Sequence, residues 1–210
     1  KAVYSGRASI TQSDTSINAD RITLDQKNGD LTATGSAITT MVLDGGTTLG
    51  RAYEIVYVDA KRLIRYAAPP IGTILAPAPA PAGRGPAPVR EPQVSGPQGD
   101  LRATNRIDVT LSMQGGAVER IDAYGNVRFQ QGTRTASGGE RLTYDAKEGK
   151  YEMTGAAAAP VVFSADCRES RGKTLIFYKS NDTIVIDGES ERRTQTTKAG
   201  GPCTPAPPAR

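Results

Sequence analysis

Apolar and polar residues alternate along this chain in short stretches that stop at glycine or at turns rich in Asp and Asn. The clearest stretch is 140–155, Glu-Arg-Leu-Thr-Tyr-Asp-Ala-Lys-Glu-Gly-Lys-Tyr-Glu-Met-Thr-Gly. Leu142 and Tyr144 alternate with polar neighbours, a turn containing Gly149 follows, and Tyr151 and Met153 resume the alternation. That pattern predicts a β-hairpin with one apolar face. It recurs. Moving back 120 residues without a gap places Arg21, Thr23, Asp25, Lys27, Gly29, Thr34 and Gly35 against Arg141, Thr143, Asp145, Lys147, Gly149, Thr154 and Gly155, with Ile22, Leu24 and Leu31 in apolar slots. Moving forward 33 residues gives 173–188, where Leu175, Phe177, Ile184 and Ile186 fill those slots. The chain reads as all-β, an array of repeated antiparallel hairpins.

Taken in order, 4–18 predicts a strand, a turn at Ser13-Asp14 and a return, followed by the hairpin at 20–35. A further strand at 37–43 closes at Asp44-Gly45-Gly46, whose glycines permit a tight turn. Residues 52–66 resemble another hairpin, but every residue from Ile55 to Val58 is apolar, so alternation alone does not choose the inward face. Further on, Leu101 to Leu111 alternates through Ile107, Val109 and Leu111, with a turn at Gln114-Gly115-Gly116. Val118 to Phe129 then carries Ile121, Val127 and Phe129 around a turn-like Tyr124-Gly125-Asn126. Residues 156–164 predict a strand, 167–172 a polar connection, and 173–188 the last hairpin.

Between 67 and 99 the composition changes. Nine of the fourteen prolines fall there, in runs such as Ala-Pro-Ala-Pro-Ala-Pro. Proline lacks a ladder donor and favours extended polyproline II, so this segment is expected to stand outside the sheet. Hairpins of the same kind resume after it, which predicts one β unit over 1–190 interrupted by an insertion at 67–99. Two small β domains on a tether are the alternative. Residues 191–210 are polar, then Gly- and Pro-rich, and read as a frayed tail.

Composition narrows the function. With 37% hydrophobic residues in 210, a core is affordable but thin. No window shows sustained helical spacing, so almost no helix is expected, and no apolar run approaches the roughly 20 residues of a membrane-spanning helix. The net charge of +4 is scattered rather than blocked with aromatics, which argues against nucleic acid as a partner. There is no histidine, which removes the commonest general base and metal ligand. The first residue is Lys, so removal of a leader is allowed for, and export with it. Cys167 and Cys203 lack metal-ligand spacing; they form a disulfide in an oxidising compartment or two thiols in a reducing one.

Asp25, Asp59 and Asp145 are the only regularly placed carboxylates. Glycoside cleavage needs two carboxylates across one bond, and calcium needs several oxygens from one compact loop. One aspartate per hairpin turn is better read as a backbone-capping residue. Neither catalytic nor metal-ligating residues are therefore assigned, and no cofactor. What remains is the apolar face: Ile22, Leu24, Leu31, Val109, Leu111, Val127, Phe129, Leu142, Tyr144, Tyr151, Met153, Leu175, Phe177, Ile184 and Ile186. These residues either fill a core between two β layers or line a groove for an apolar ligand.

The succession Ala19-Asp-Arg-Ile-Thr-Leu-Asp, Gly29-Asp-Leu-Thr-Ala-Thr-Gly35, Ala123-Tyr-Gly-Asn-Val127 and Arg141-Leu-Thr-Tyr-Asp through Tyr151-Glu-Met-Thr-Gly155 resembles the LptA/OstA-like family of lipopolysaccharide-transport proteins. That family includes periplasmic LptC and the N-terminal domain of LptD. The resemblance spans about 4–190 apart from the insertion, and the insertion and the proline-rich end depart from it. It implies a twisted, V-shaped β-jelly roll, open at both ends, whose units join edge to edge, or head to tail with copies of themselves, into a periplasmic bridge. Lipid A acyl chains would slide along the apolar face while the sugars stay outside. An acyl chain of about a dozen carbons represents roughly 10 kcal/mol of gross burial, which a flat surface cannot capture. A β-solenoid polysaccharide lyase or hydrolase and a purely structural β scaffold are the rivals.

Overall fold

Alternating residues form strands because side chains then project to opposite faces of a pleat, and one face can be dry. The computed structural model describes residues 1–72, 91–156, 159–165, 168–181 and 183–187, and the backbone of 195–198. Its strands are β1 (Ala2–Gln12), β2 (Thr15–Leu24), β3 (Leu31–Leu43), β4 (Gly46–Val58), β5 (Leu63–Ala67), β6 (Gln93–Gly96), β7 (Gly99–Arg102) and β8 (Arg106–Leu111). They continue with β9 (Val118–Gln131), β10 (Arg134–Asp145), β11 (Lys150–Gly155), β12 (Val161–Ala165), β13 (Arg168–Gly172), β14 (Thr174–Tyr178), β15 (Thr183–Asp187) and β16 (Gln195–Lys198). Among the described residues the only helical piece is a single 3-10 turn, Asp59–Lys61. The all-β, antiparallel expectation holds throughout the described residues.

The three predicted hairpins share one register. Ile22 pairs with Ala33, Leu142 with Met153, and Leu175 with Ile186; two residues further toward each turn, Leu24 meets Leu31, Tyr144 meets Tyr151, and Phe177 meets Ile184. The turn aspartates cap their own backbones. The Asp25 carboxylate accepts from Lys27 N (3.2 Å), and that of Asp145 from Lys147 N (2.9 Å) and Glu148 N (3.2 Å). Asp59 instead accepts from the Tyr57 hydroxyl at 2.8 Å.

The long strands bend, and the sheet forks at the bends. In β4, Glu54 to Val58 pair with β5 while Leu49 to Arg51 pair with β6. In β9, Arg106 to Leu111 of β8 lie beside the first half, and β7 lies beside Arg128 to Gln130. In β10, the second half pairs with β11 and Thr135 to Ser137 pair with β12. Two layers result. The first runs β1-β2-β3-β4-β5-β8-β9-β10-β11-β14-β15; the second leaves that path through β6-β7 and again through β12-β13-β16. Strands β1 to β4, β9 and β10 belong to both.

The bends correct several sequence expectations. Gly125-Asn126 was expected as a turn and Gly35 as a strand end, yet both lie inside continuous strands, as bulges with φ of +82° and +37° at Gly125 and Asn126 and +80° and +47° at Gly35 and Ser36. Positive φ serves a bulge as readily as a reversal. The separate strand expected at 37–43 is therefore the second half of β3. The polar connection expected at 167–172 contains a strand, β13, paired on both sides. The insertion expected at 67–99 ends earlier, because Gln93–Gly96 and Gly99–Arg102 form a hairpin in the second layer, with Val94 and Leu101 buried. Residues 73–90 of it lie outside the described residues, as do Cys167, Cys203 and, apart from β16, nearly all of the expected tail. The register left open at Ile55 to Val58 resolves with Ile55 fully buried, facing Ala33.

Candidate functional site

The inward faces of the two layers enclose one apolar cluster. Ile22, Leu31, Val109, Leu111, Val127, Leu142, Tyr144, Tyr151, Met153, Leu175 and Phe177 are buried in it. Leu24, Phe129, Ile184 and Ile186 are half-buried against it. The fold thus brings all fifteen sequence-predicted positions into one interior. Sequence reasoning left out Ile55, Ile64, Tyr66, Ile107 and Ile121 from the first layer, and Val94, Leu101 and Val161 from the second. The alternation Ile64-Arg-Tyr66 and the start of the run Ile107, Val109, Leu111 carried a signal for three of these. Val94 was hidden by the prolines around it, whereas Leu101 opens the alternating stretch to Leu111 and was left out of the face all the same.

Aromatic side chains concentrate at one place along this seam. Tyr151 stacks on Tyr144 (ring centroids 4.4 Å apart), on Phe129 (4.8 Å) and on Phe177 (5.8 Å), with interplanar angles near 27°. Such offset pairs contribute about 0.5–1.5 kcal/mol beyond area burial. Flat rings also leave fissures where rounded aliphatic chains would interdigitate. A cavity of about 30 Å³ lies on one side, against Leu43, Tyr66, Val94 and Leu101, and another of about 20 Å³ on the other, against Met153, Phe163, Leu175 and Phe177. Phe129, Leu142 and Tyr151 wall both. Each has room for about one water, far less than an acyl chain.

The polar end of the stack is fastened across the layers. The Tyr151 hydroxyl donates to the Gln98 carbonyl (3.2 Å) at the tip of the β6–β7 hairpin. Gln98 Nε2 donates to Asp44 Oδ2 (2.9 Å), and Lys179 Nζ donates to Gln98 Oε1 (3.0 Å). Burial, then neighbouring Tyr144 and Asp44, push the Tyr151 hydroxyl up, so it stays a protonated donor at physiological pH. Burial pushes Tyr66 up to about 12, against its hydrogen bond with Thr39 (2.9 Å).

The outward face of the first layer is ionic. Asp122 accepts from Arg141 (2.7 Å), Arg120 and Thr143 (3.0 Å), and Asp108 pairs with Arg65 (2.9 Å) and Arg106 (3.4 Å). Burial pushes the Asp122 carboxyl up, but the hydrogen bonds from Arg120, Arg141 and Thr143 outweigh it and hold it at about 2. No helix among the described residues is long and apolar enough to cross a membrane.

Residues 1–67, which are β1 to β5, match the family described as LptA/(LptD N-terminal domain) LPS transport protein. The second and third hairpins lie beyond that match, although they share the register of the first. No curated protein matches the chain. The crystal structure of LptH from Pseudomonas aeruginosa, described as the LptA homologous periplasmic component of the conserved lipopolysaccharide transport device, is similar over 87% of this chain and 93% of its own. Identity is 10% and the TM-score 0.39. A likeness that distant transfers neither residues nor roles.

Proposed function

We propose that this chain is a non-enzymatic lipopolysaccharide carrier of the periplasm, one unit of a β bridge that moves lipid A acyl chains from the inner to the outer membrane along the seam. The observation that carries this reading is the continuous apolar interior, walled by both layers and fissured beside Phe129, Leu142 and Tyr151. The match of residues 1–67 supports it. The cavities are small, so an acyl chain enters as the layers part and Phe129 separates from Tyr151. The gain is the chain's own burial, about 0.8 kcal/mol per methylene. The sheet order ends at β1 and β15, whose outer edges can extend the sheet by strand addition. Those edges would receive LptC-like and LptD-like units, or a second copy head to tail. Direction would come from a partner, since no step calls for a catalytic group.

A scaffold with a dry core is the second reading, favoured by the size of the two cavities. Photo-crosslinking side chains at Phe129, Tyr144 or Phe177 separate the two. The carrier predicts capture of lipopolysaccharide from these interior positions; labelling confined to exposed positions such as Arg141 and Lys173 overturns it. Phe177→Asp places an unpaired carboxylate in the seam and is expected to abolish capture. A folded Phe177→Asp protein that binds lipopolysaccharide unchanged speaks for the scaffold.

A further inference from the structure

The outward face of the second layer differs from that of the first in how its arginines are used. Arg102 of β7 and Arg128 of β9 stand directly opposite each other in register, flanked by Gln93 of β6 and Ser137 of β10. Like charges directly opposed across an antiparallel pair destabilise it. Every arginine of the Asp108 and Asp122 clusters has a carboxylate, and in the second layer Arg171 has Glu169 at 2.6 Å. Among the described residues, Arg102 and Arg128 have no hydrogen bond or ion pair through their side chains. Both are exposed, and both line a groove of about 390 Å³ together with Gln93, Asp100, Gln130, Thr135 and Ser137.

The geometry points to an anion site in this groove, taking the phosphate monoester of a sugar. Two facing guanidiniums can share the three oxygens of one phosphoryl group, whereas the two oxygens of a carboxylate are satisfied by a single fork. Asp100 lines the same groove and opposes any anion in it, so the paired guanidiniums have to outweigh that one carboxylate. The amides of Gln93 and Gln130 and the hydroxyls of Thr135 and Ser137 are the groups that pair with sugar hydroxyls. The volume is that of a small-ligand cleft. Phe129, Thr135 and Ala136 also wall one of the seam cavities, so the anion site and the apolar interior are neighbours. The site goes beyond the carrier reading and does not require it.

The experiment is a titration of isotope-labelled full-length protein with glucosamine 1-phosphate, read at the amides of Arg102, Arg128 and Ser137. Saturable shifts are expected there, with affinity at least about tenfold lower in Arg102→Gln/Arg128→Gln. Absence of saturation, or equal affinity in the double variant, overturns the site. Inorganic phosphate binding as tightly as the ester overturns its assignment to a sugar. A parallel titration with detergent-dispersed lipid A separates the two sources of this chemistry. Shifts at the same amides assign a glycolipid headgroup, and shifts from glucosamine 1-phosphate alone assign a soluble sugar phosphate. Glucosamine 1-phosphate has no acyl chain, so its failure to bind leaves the seam untouched. Loss of crosslinking at Phe177, in turn, leaves the groove standing. Both arginines are exposed, and removing their repulsion is expected to leave the melting temperature equal or higher.

Discussion

The first and second hairpins are the same backbone with different interiors. Both pair in one register, but the inward pairs are Ile22–Ala33 and Leu24–Leu31 in the first, and Leu142–Met153 and Tyr144–Tyr151 in the second. Around the first, Ala33, Ala37, Ala52, Ile22 and Ile55 are wholly buried, and aliphatic side chains of modest size close the gap between layers. Around the second, the Phe129–Tyr151 stack and the Tyr151–Gln98 bond cross between the layers and cavities remain at their flanks; no residue before Leu43 lines either one. Register decides which positions face inward. Side-chain shape decides whether the interior is solid there or able to open.

The contrast can be broken most strongly at its solid end. Ile22→Ala deletes a fully buried side chain, and chemical denaturation is expected to show a loss of about 2–5 kcal/mol. A smaller change in the second hairpin tests the same idea from the other side. Tyr144→Leu/Tyr151→Leu recreates the pair Leu24–Leu31; loss of the stack and of the Tyr151–Gln98 bond is expected to cost about 1–3 kcal/mol. A cost as large as that of Ile22→Ala would show that the two interiors are equally rigid. The third hairpin lies at the sheet edge, with Ile184 half-buried, and Ile184→Ala is expected to cost about 1 kcal/mol or less in the same assay.

The outward faces give the smallest effect and one with a sign. Asp122 is held at about 2 in the folded chain against an ordinary 3.8, so its contribution is complete above about pH 4 and is lost as pH falls toward 2. Acid titration of stability in Asp122→Asn should show a shallower decline over that window than in the unchanged protein. An identical decline would assign the acid sensitivity elsewhere.

Much of this was legible in the sequence, for reasons that local chemistry explains. Alternation at Leu142, Tyr144, Tyr151 and Met153, with Asp145 and Gly149 between, contains both the inward face and the turn; the same signs at Asp25 and Gly29 gave the same register. Ile55 to Val58 carried no such sign, because Val56 and Val58 between the inward positions are apolar and half-buried as well, and the change of inward parity at the bend falls just before them, between Ala52 and Ile55. Gly125-Asn126 misled for a related reason, since the conformation it adopts is common to turns and bulges. The fork of β4, β9 and β10 is tertiary: nothing local states that one half of a strand pairs with β5 and the other with β6. Gln98 was invisible for a further reason, its partners Asp44, Tyr151 and Lys179 being brought to it only by the fold. All fifteen apolar positions are interior, which is a statement about packing; lipid contact rests on the crosslinking experiment.

The forked sheet also gives the molecule a graded stiffness. At β1 to β4 the layers are one set of strands, and prising them apart there would mean unbending four ladders at once. Past β10 no strand belongs to both, and β11-β14-β15 and β12-β13-β16 are joined where β13 passes into β14 through the single residue Lys173, whose backbone bonds Gly155 and Asp187. Parting of the layers is expected to meet least resistance between β10 and that junction, where the layers share fewest strands and where the aromatic stack lies.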